Sequence, residues 1–456
     1  MLIIAALVAV ALGLVVILAW TSRWVPAASR GRPPASTRPP GAATTPAAEP
    51  VLAAARAVPQ PIPAILAAAL APGTHDAGLG GQLAGAVLDA DGRAAYGLRA
   101  TAMLPPASTA KLATAVAALA VLGTDARLTT TVTRTGSMIV LVGGGDPLLA
   151  SPKALRADPA LASLDRLATL TAARLRQAGT STVQLGYDTS RYSGPAVAPG
   201  WKPGYLTGNV APVSALMVDE GRLRPDLPAR APDPAASAAR AFAAQLAVHG
   251  VRVLGAPKPA HAGGAPGAPG GALAAVSAPT VAGLVQRMLT TSDNSLAEAL
   301  AREVAGRSAL PRSFAGATAG VRRAVAAVGV DPAGLALVDA SGLSTLDRAR
   351  PATLAALLVT AIGRPTLHAL FAGLPVAGFT GTLAGRFRSG PAAAAAGVVR
   401  AKTGTLSGVS TLSGVVVDRD GAVLAFAFLA PEAASRSRAQ AALDRLAATL
   451  AGCGCR

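Results

Sequence analysis

Pro105-Pro106-Ala107-Ser108-Thr109-Ala110-Lys111-Leu112-Ala113-Thr114-Ala115-Val116 is the stretch on which the reading of this chain turns. After the two prolines, apolar positions at Leu112, Val116 and Leu119 predict a helix from about Ser108 to Leu122. Ser108 opens that helix, and Lys111 stands three positions on, so hydroxyl and amine share one helix face. The helix N-terminus offers free N–H groups and positive dipole character to a developing oxyanion. A lysine kept neutral by burial can take the proton of a neighbouring hydroxyl. The pair therefore suggests a serine nucleophile with a lysine base. Alone it is a weak signal. A chance Ser-x-x-Lys is expected at roughly 0.3 per chain of this composition, and its bland reading is a surface helix turn.

Two further motifs follow in order, Ser292-Asp293-Asn294 and Lys402-Thr403-Gly404. Ser292 can relay a proton between Lys111 and a leaving amine. Asn294 can donate and accept a hydrogen bond at once, which suits a peptide backbone. Lys402, Thr403, Gly404 and Thr405 fall on a predicted strand, Gly397 to Leu406. Gly404 would let a substrate approach the backbone closely, and Lys402, Thr403 and Thr405 together can hold a terminal carboxylate. Lys402 is also a second cation, expected to help burial lower the pKa of Lys111. Only five of the 41 basic residues are lysines, and two of those five sit in these motifs.

The remaining composition narrows the class. Net charge is +18, carried mostly by arginine in a chain also rich in Ala, Gly and Pro. No basic run is interleaved with aromatics, which argues against nucleic-acid binding. The four His are scattered, so no metal-ligand spacing exists. Cys453 and Cys455 alone supply neither a disulfide framework nor a zinc pattern, and read as incidental at a frayed tail. No Gly-x-Ser-x-Gly occurs, which removes the α/β-hydrolase reading.

Leu2 to Trp20 is an unbroken apolar run, long enough for a transmembrane anchor and equally readable as a signal segment. Its neighbouring charges, Arg23, Arg30 and Arg32, follow it, an order opposite to that expected for export. A Pro/Ala-rich spacer occupies 25–62. Strands are predicted at Ala84 to Leu88, Arg93 to Gly97, Arg127 to Thr133, Met138 to Val142, Thr411 to Val417 and Ala422 to Leu429. Helices are predicted at Leu161 to Ala178, Thr280 to Thr290, Ser295 to Ala305 and Pro431 to Leu450. The stretch from Ala178 to Gly255 reads as mixed and loop-rich, and Ala256 to Gly271 as a Pro/Gly-rich break.

The ordered set Ser-x-x-Lys, Ser-Asp-Asn, Lys-Thr-Gly resembles that of penicillin-binding proteins and class A β-lactamases. Flanking motifs sharpen the resemblance: Gly144-Gly145-Asp146-Pro147, Tyr187-Asp188 with Trp201, Ala211 to Leu216, Ala297-Glu298, and Asp339 to Ser344. With the long gap between the first two motifs, the chain from about residue 63 to 450 is similar to the low-molecular-mass D-Ala-D-Ala carboxypeptidases and endopeptidases of the penicillin-binding protein 4 type. It departs from them in having Ala340 where Gly is usual.

The resemblance implies an α/β (α+β) fold. A serine β-lactamase/transpeptidase-like domain, an antiparallel sheet flanked by helices, would span 63–125 and 273–450, with a mixed module inserted at 126–272 and a flexible tail at 451–456. Ser108 would be acylated by the stem peptide of peptidoglycan, with the N–H groups of Ser108 and Thr405 holding the oxyanion. Lys111, Ser292 and Lys402 would complete the catalytic set, and Asn294, Thr403, Gly404 and Thr405 would bind substrate. β-Lactams would inhibit. No metal or cofactor is implied. Glu298 reads as a structural acid of its helix and Asp339 to Ser344 as a loop beside the site. The competing readings are a β-lactamase-like hydrolase and a non-catalytic, penicilloyl-sensing or wall-binding module.

Overall fold

Val423-Leu-Ala-Phe-Ala-Phe-Leu-Ala430 is apolar on both faces and forms the central strand of the catalytic sheet. The computed structural model describes residues 58–135, 137–262 and 272–456. The apolar run Leu2 to Trp20, most of the expected spacer and residues 263–271 lie outside them.

In chain order the strands are β1 (Ala84–Asp89), β2 (Ala94–Leu98), β3 (Arg127–Thr135), β4 (Met138–Val142), β5 (Thr182–Asp188), β6 (Arg252–Val253), β7 (Lys258–Pro259), β8 (Ala272–Thr280), β9 (Leu335–Ala336), β10 (Arg348–Ala349), β11 (Arg400–Leu406), β12 (Val409–Val417) and β13 (Val423–Ala430). The catalytic sheet runs β11-β12-β13-β1-β2, antiparallel throughout. Alternation along β13 divides its side chains between two cores. Ala425, Ala427 and Leu429 pack with Leu112, Val116 and Leu354 of the helices Lys111–Leu122 and Pro351–Ile362. Leu424, Phe426, Phe428 and Ala430 pack with Leu70 of the helix Pro63–Thr74 and Leu443 and Leu446 of the helix Arg436–Gly452. Small side chains on the first face let helices approach; the two phenylalanines fill the second, their rings 5.6 Å apart.

The helix Lys111–Leu122 is buried from Lys111 through Leu119. A helix apolar all round belongs in a core, and this one is surrounded by the helices Val281–Thr291, Asn294–Arg307 and Phe314–Ala327. It thereby carries its first residue to the centre of the molecule.

The inserted segment builds its own sheet, β6-β5-β4-β3-β8, with parallel pairing at β4–β5 and β5–β6. The expected boundary at residue 272 needs correction. β8 begins there and pairs antiparallel with β3, so the inserted sheet runs on to Thr280. The loop-rich reading of 179–255 also fails in part, since β5 and a helix Pro234–Val248 lie within it. The tail is packed against the body of the protein. The last helix reaches Gly452, Cys453 and Cys455 are buried and joined as a disulfide, and Ile62 N–H donates to the Cys455 carbonyl at 2.7 Å. Long-range packing against the first helix of the described chain fixes it, which local composition does not reveal.

Candidate active site

Ser108 sits in a tight 3-10 turn, Ala107–Ala110, just ahead of the helix that Lys111 begins. Ala107 adopts φ 46°, a left-handed conformation unfavourable for a residue with a side chain. Gly342 accounts for the fit: a Cβ there would lie 1.9 Å from the Ala107 carbonyl oxygen. Two loops distant in sequence are thus pressed together at the nucleophile candidate.

Lys111 is fully buried. Its Nζ donates to Ser108 Oγ at 3.1 Å, Asn294 Oδ1 at 2.7 Å and the Ser341 carbonyl at 2.7 Å. Three acceptors match the three N–H bonds of an ammonium. In the neutral amine, Asn294 and Ser341 can keep the two remaining N–H bonds, which leaves the lone pair directed at Ser108. Burial pushes the Lys111 pKa down to about 8, against the carboxylates of Asp339, Glu298, Asp293 and Asp347, which raise it.

Ser292 ends the helix Val281–Thr291 in a left-handed conformation, φ 61°, and Asp293 caps the next helix by accepting from Leu296 N–H at 3.0 Å. This reversal turns Ser292 and Asn294 into the cleft. Ser292 Oγ accepts from Lys402 Nζ at 2.9 Å, and Lys402 also donates to the Thr403 carbonyl at 2.7 Å. Among the described residues Ser292 hydrogen-bonds to Lys402 and not to Lys111, so it joins the second lysine rather than the first. Burial and then the Lys111 charge hold Lys402 well below the ordinary lysine range, whereas Lys111 is lowered by its own burial.

β11 is an edge strand, which gives its motif a free side. Ala401 N–H donates outward to the Pro375 carbonyl at 2.9 Å. Alternate residues share a direction, so Thr403 and Thr405 present their backbone N–H groups on that same open edge. Thr403 Oγ1 meets Thr382 Oγ1 at 2.7 Å. Gly404 has a packing role. A Cβ there would lie 2.1 Å from Thr411 Oγ1, 2.8 Å from the Pro106 carbonyl and 3.0 Å from Ser108 N, so the missing side chain lets β11 pack against the Ser108 turn.

Ser108, Ser292, Asn294, Thr403 and Thr405 line one cleft of about 510 Å³. Lys111 and Lys402 lie beneath its floor. Asn294 uses one acceptor and one donor position of its amide within the protein, the Nδ2 donating to the Asn209 carbonyl at 3.0 Å, so a second N–H remains for a substrate carbonyl. Leu343, Leu406, Asn209, Thr382, Gly385, Arg386 and Gln440 complete the lining, and the last five belong to no motif read from the sequence. The role of the Ser341 carbonyl was also hidden, because backbone atoms leave no sequence signal. Among the described residues, no group of three or more His, Cys, Asp or Glu side chains is placed to hold a metal ion.

An antiparallel sheet flanked by helices, with these three motifs around one cleft, defines a protein of the serine β-lactamase and transpeptidase-like class. Residues 66–232 and 225–450 match the model of the D-Ala-D-Ala carboxypeptidase 3 (S13) family, and the chain belongs to that family. It is 41% identical over 403 residues to Carboxypeptidase DacB of Mycolicibacterium smegmatis, covering 86% of this chain and 84% of that one. It is 31% identical over 422 residues to a D-alanyl-D-alanine carboxypeptidase of an Actinomadura species, covering 76% and 77% of the two. Penicillin binding protein 4 of Haemophilus influenzae shares the fold, with a TM-score of 0.65 at 22% identity over 80% of this chain and 95% of that one. The chain is therefore a serine-type D-Ala-D-Ala carboxypeptidase, a hydrolase.

Proposed function

We propose that Ser108 is the nucleophile and Lys111 its base in the cleavage of the terminal D-Ala from peptidoglycan stem peptides. The observation that carries the reading is the Lys111 amine, fully buried and 3.1 Å from Ser108 Oγ, with its other two hydrogen-bond positions already filled. With a pKa of about 8, about a tenth of Lys111 is neutral at pH 7. That fraction takes the Ser108 proton as Oγ attacks the carbonyl between the two D-Ala residues. The N–H groups of Ser108 and Thr405 receive the oxyanion. The C–N bond breaks as the amine of the leaving D-Ala gains a proton, delivered through Ser292. Water then hydrolyses the ester, and Ser108 recovers its proton. Lys402, Thr403 and Thr405 hold the terminal carboxylate, Gly404 keeps β11 close to the nucleophile, and Asn294 gives its second amide N–H to the peptide backbone. The segment from β3 to β8 acts as a separate inserted module.

β-Lactams follow the same route and stop at the ester, since their amide imitates the D-Ala-D-Ala bond. The substrate places the enzyme outside the cytoplasm, and the apolar run Leu2 to Trp20 supports export with either a retained anchor or a cleaved signal. The test is covalent labelling. Incubation with penicillin, digestion and mass mapping should place the adduct on the peptide containing Ser108, and Ser108→Ala should abolish it. An adduct on another serine would overturn the assignment.

A further inference from the structure

Two buried carboxyls behind the lysine base, Glu298 and Asp339, have no part in the chemistry above, and both grip the loop that touches Lys111. Asp339 accepts from the N–H groups of Ser341 at 3.0 Å, Gly342 at 2.7 Å and Ser344 at 2.7 Å, and from Trp201 Nε1 at 2.6 Å. Glu298 Oε1 accepts from the N–H groups of Ala340 at 3.0 Å and Ser341 at 2.9 Å. With the Gly342 N–H held by Asp339, the Ser341 carbonyl at the other end of the same peptide is turned the opposite way, onto Lys111 Nζ at 2.7 Å. Thr114, one turn along from Lys111 on the same helix, ties the Ala340 carbonyl at 2.6 Å. The loop is thus built around the lysine, and Glu298 is its anchor on the neighbouring helix.

We propose that Glu298 is a positioning residue of the base: by holding the Ala340 and Ser341 amides it sets the loop whose next peptide is pinned between Asp339, at the Gly342 N–H, and Lys111 Nζ, at the Ser341 carbonyl, and its negative charge favours the ammonium form of that amine. The proposal rests on the reading of Lys111 as base. Electrostatics supports it. Asp339, Glu298, Asp293 and Asp347 all favour the ammonium form of Lys111, while burial opposes it, and the nearby cation Lys402 is itself depressed by Lys111. Burial and then the Asp339 charge push the Glu298 carboxyl up to about 7, with Arg302, 3.4 Å away, and the two amides working the other way.

The chain has five lysines, so the full-length protein labelled with ¹³C-lysine gives few signals. Lys111→Arg and Lys402→Arg assign the two buried ones. Glu298→Gln keeps the Oε1 acceptor for the amides and removes the charge. The expected result is a Lys111 titration midpoint lower by about 1 pH unit. The rise of penicillin acylation rate with pH should move down with it, while the plateau rate changes less. Because Glu298→Gln leaves Arg302 buried without its carboxylate, Glu298→Gln combined with Arg302→Met tests the same point in a chain relieved of that charge. Arg302 is not among the charges acting on Lys111, so the downward move should persist. A midpoint that stays put or rises in the folded variant overturns the proposal. Absence of penicillin labelling at Ser108 in the unmodified chain would instead overturn the base reading, and the lysine titration would still report on Glu298.

Discussion

The cleft and the segment from β3 to β8, the module, differ in which charges they bury. Beneath the cleft, Lys111 and Lys402 are fully buried, close enough for one to depress the other, with the carboxyls of Glu298 and Asp339 buried behind them. In the module, pairs such as Lys153–Asp226 at 2.8 Å lie half-exposed, where an ion pair adds little stability. The module's interior is mostly apolar, with Leu141, Leu167 and Phe242 in its core, and it also buries Asp146, Asp188 and Arg230. Burying like charges costs stability, and such arrangements cluster where chemistry requires a shifted pKa. Burial pushes the Asp146 and Glu220 carboxyls of the module up to about 7 as well, so a shifted pKa does not by itself set the cleft apart. The module also meets the reactive centre. Asn209 accepts from Asn294, and Trp201 donates to Asp339.

The largest effect should come from the cleft itself. Lys111→Arg keeps the charge and cannot accept a proton, since guanidinium stays protonated in proteins. Loss of a positioned base lowers acylation by about 10²–10⁴-fold. Lys402→Arg keeps the sign of charge beside Ser292 and should lose less. In the unmodified enzyme, the base is the neutral form, so acylation should rise with pH toward about 8 and then level. Stopped-flow acylation with a fluorescent penicillin across pH measures all three. Equal losses in the two variants would dissolve the separate roles given to the lysines.

Trp201→Phe probes the seam. The indole N–H reaches a buried carboxylate at 2.6 Å, and a hydrogen bond to a charged group contributes about 1.5–3 kcal/mol. Phenylalanine keeps the ring contact with Phe314, whose centroid is 5.5 Å away, and drops only the donor. Because Asp339 also holds the Ser341, Gly342 and Ser344 amides, the loop against Lys111 should loosen, and acylation should fall by about tenfold, well short of Lys111→Arg. An unchanged rate would mean that the module does not reach the chemistry through this contact.

The same contrast governs what could be read from the sequence. The three motifs are local strings, and their residues meet in one cleft. β13 and the Lys111–Leu122 helix were legible because uniform burial leaves uniform apolarity. The helix Pro234–Val248 was missed because in an alanine-rich chain its faces barely differ in hydropathy. Its start was nonetheless signalled by Asp233 and Pro234, and Asp233 does accept from Ala236 N–H at 2.9 Å. Thr382 and Asn209 come to the cleft from loops far away in sequence, with nothing local to mark them. The pairing of Ser292 with Lys402 depends on a left-handed residue at a helix junction, a conformation that Ser does not announce.

The smallest effect on acylation should come from the deepest cut into the module. Phe242 is fully buried on the helix Pro234–Val248, and packs in a cluster that includes Leu246, Leu185 and Leu167 but none of the cleft residues. Phe242→Ala removes an aromatic side chain from a closed core, which costs about 3–5 kcal/mol. Thermal unfolding should therefore begin earlier, and limited proteolysis should first cut within the module. Below that transition the acylation rate should stay within about twofold of the unmodified enzyme, because Lys111, Ser341 and Glu298 rest on the other core. Calorimetry and acylation kinetics on one preparation provide the comparison. A rate that falls in step with stability would show that the two regions are energetically one, and that the module shapes the base as well as supporting it.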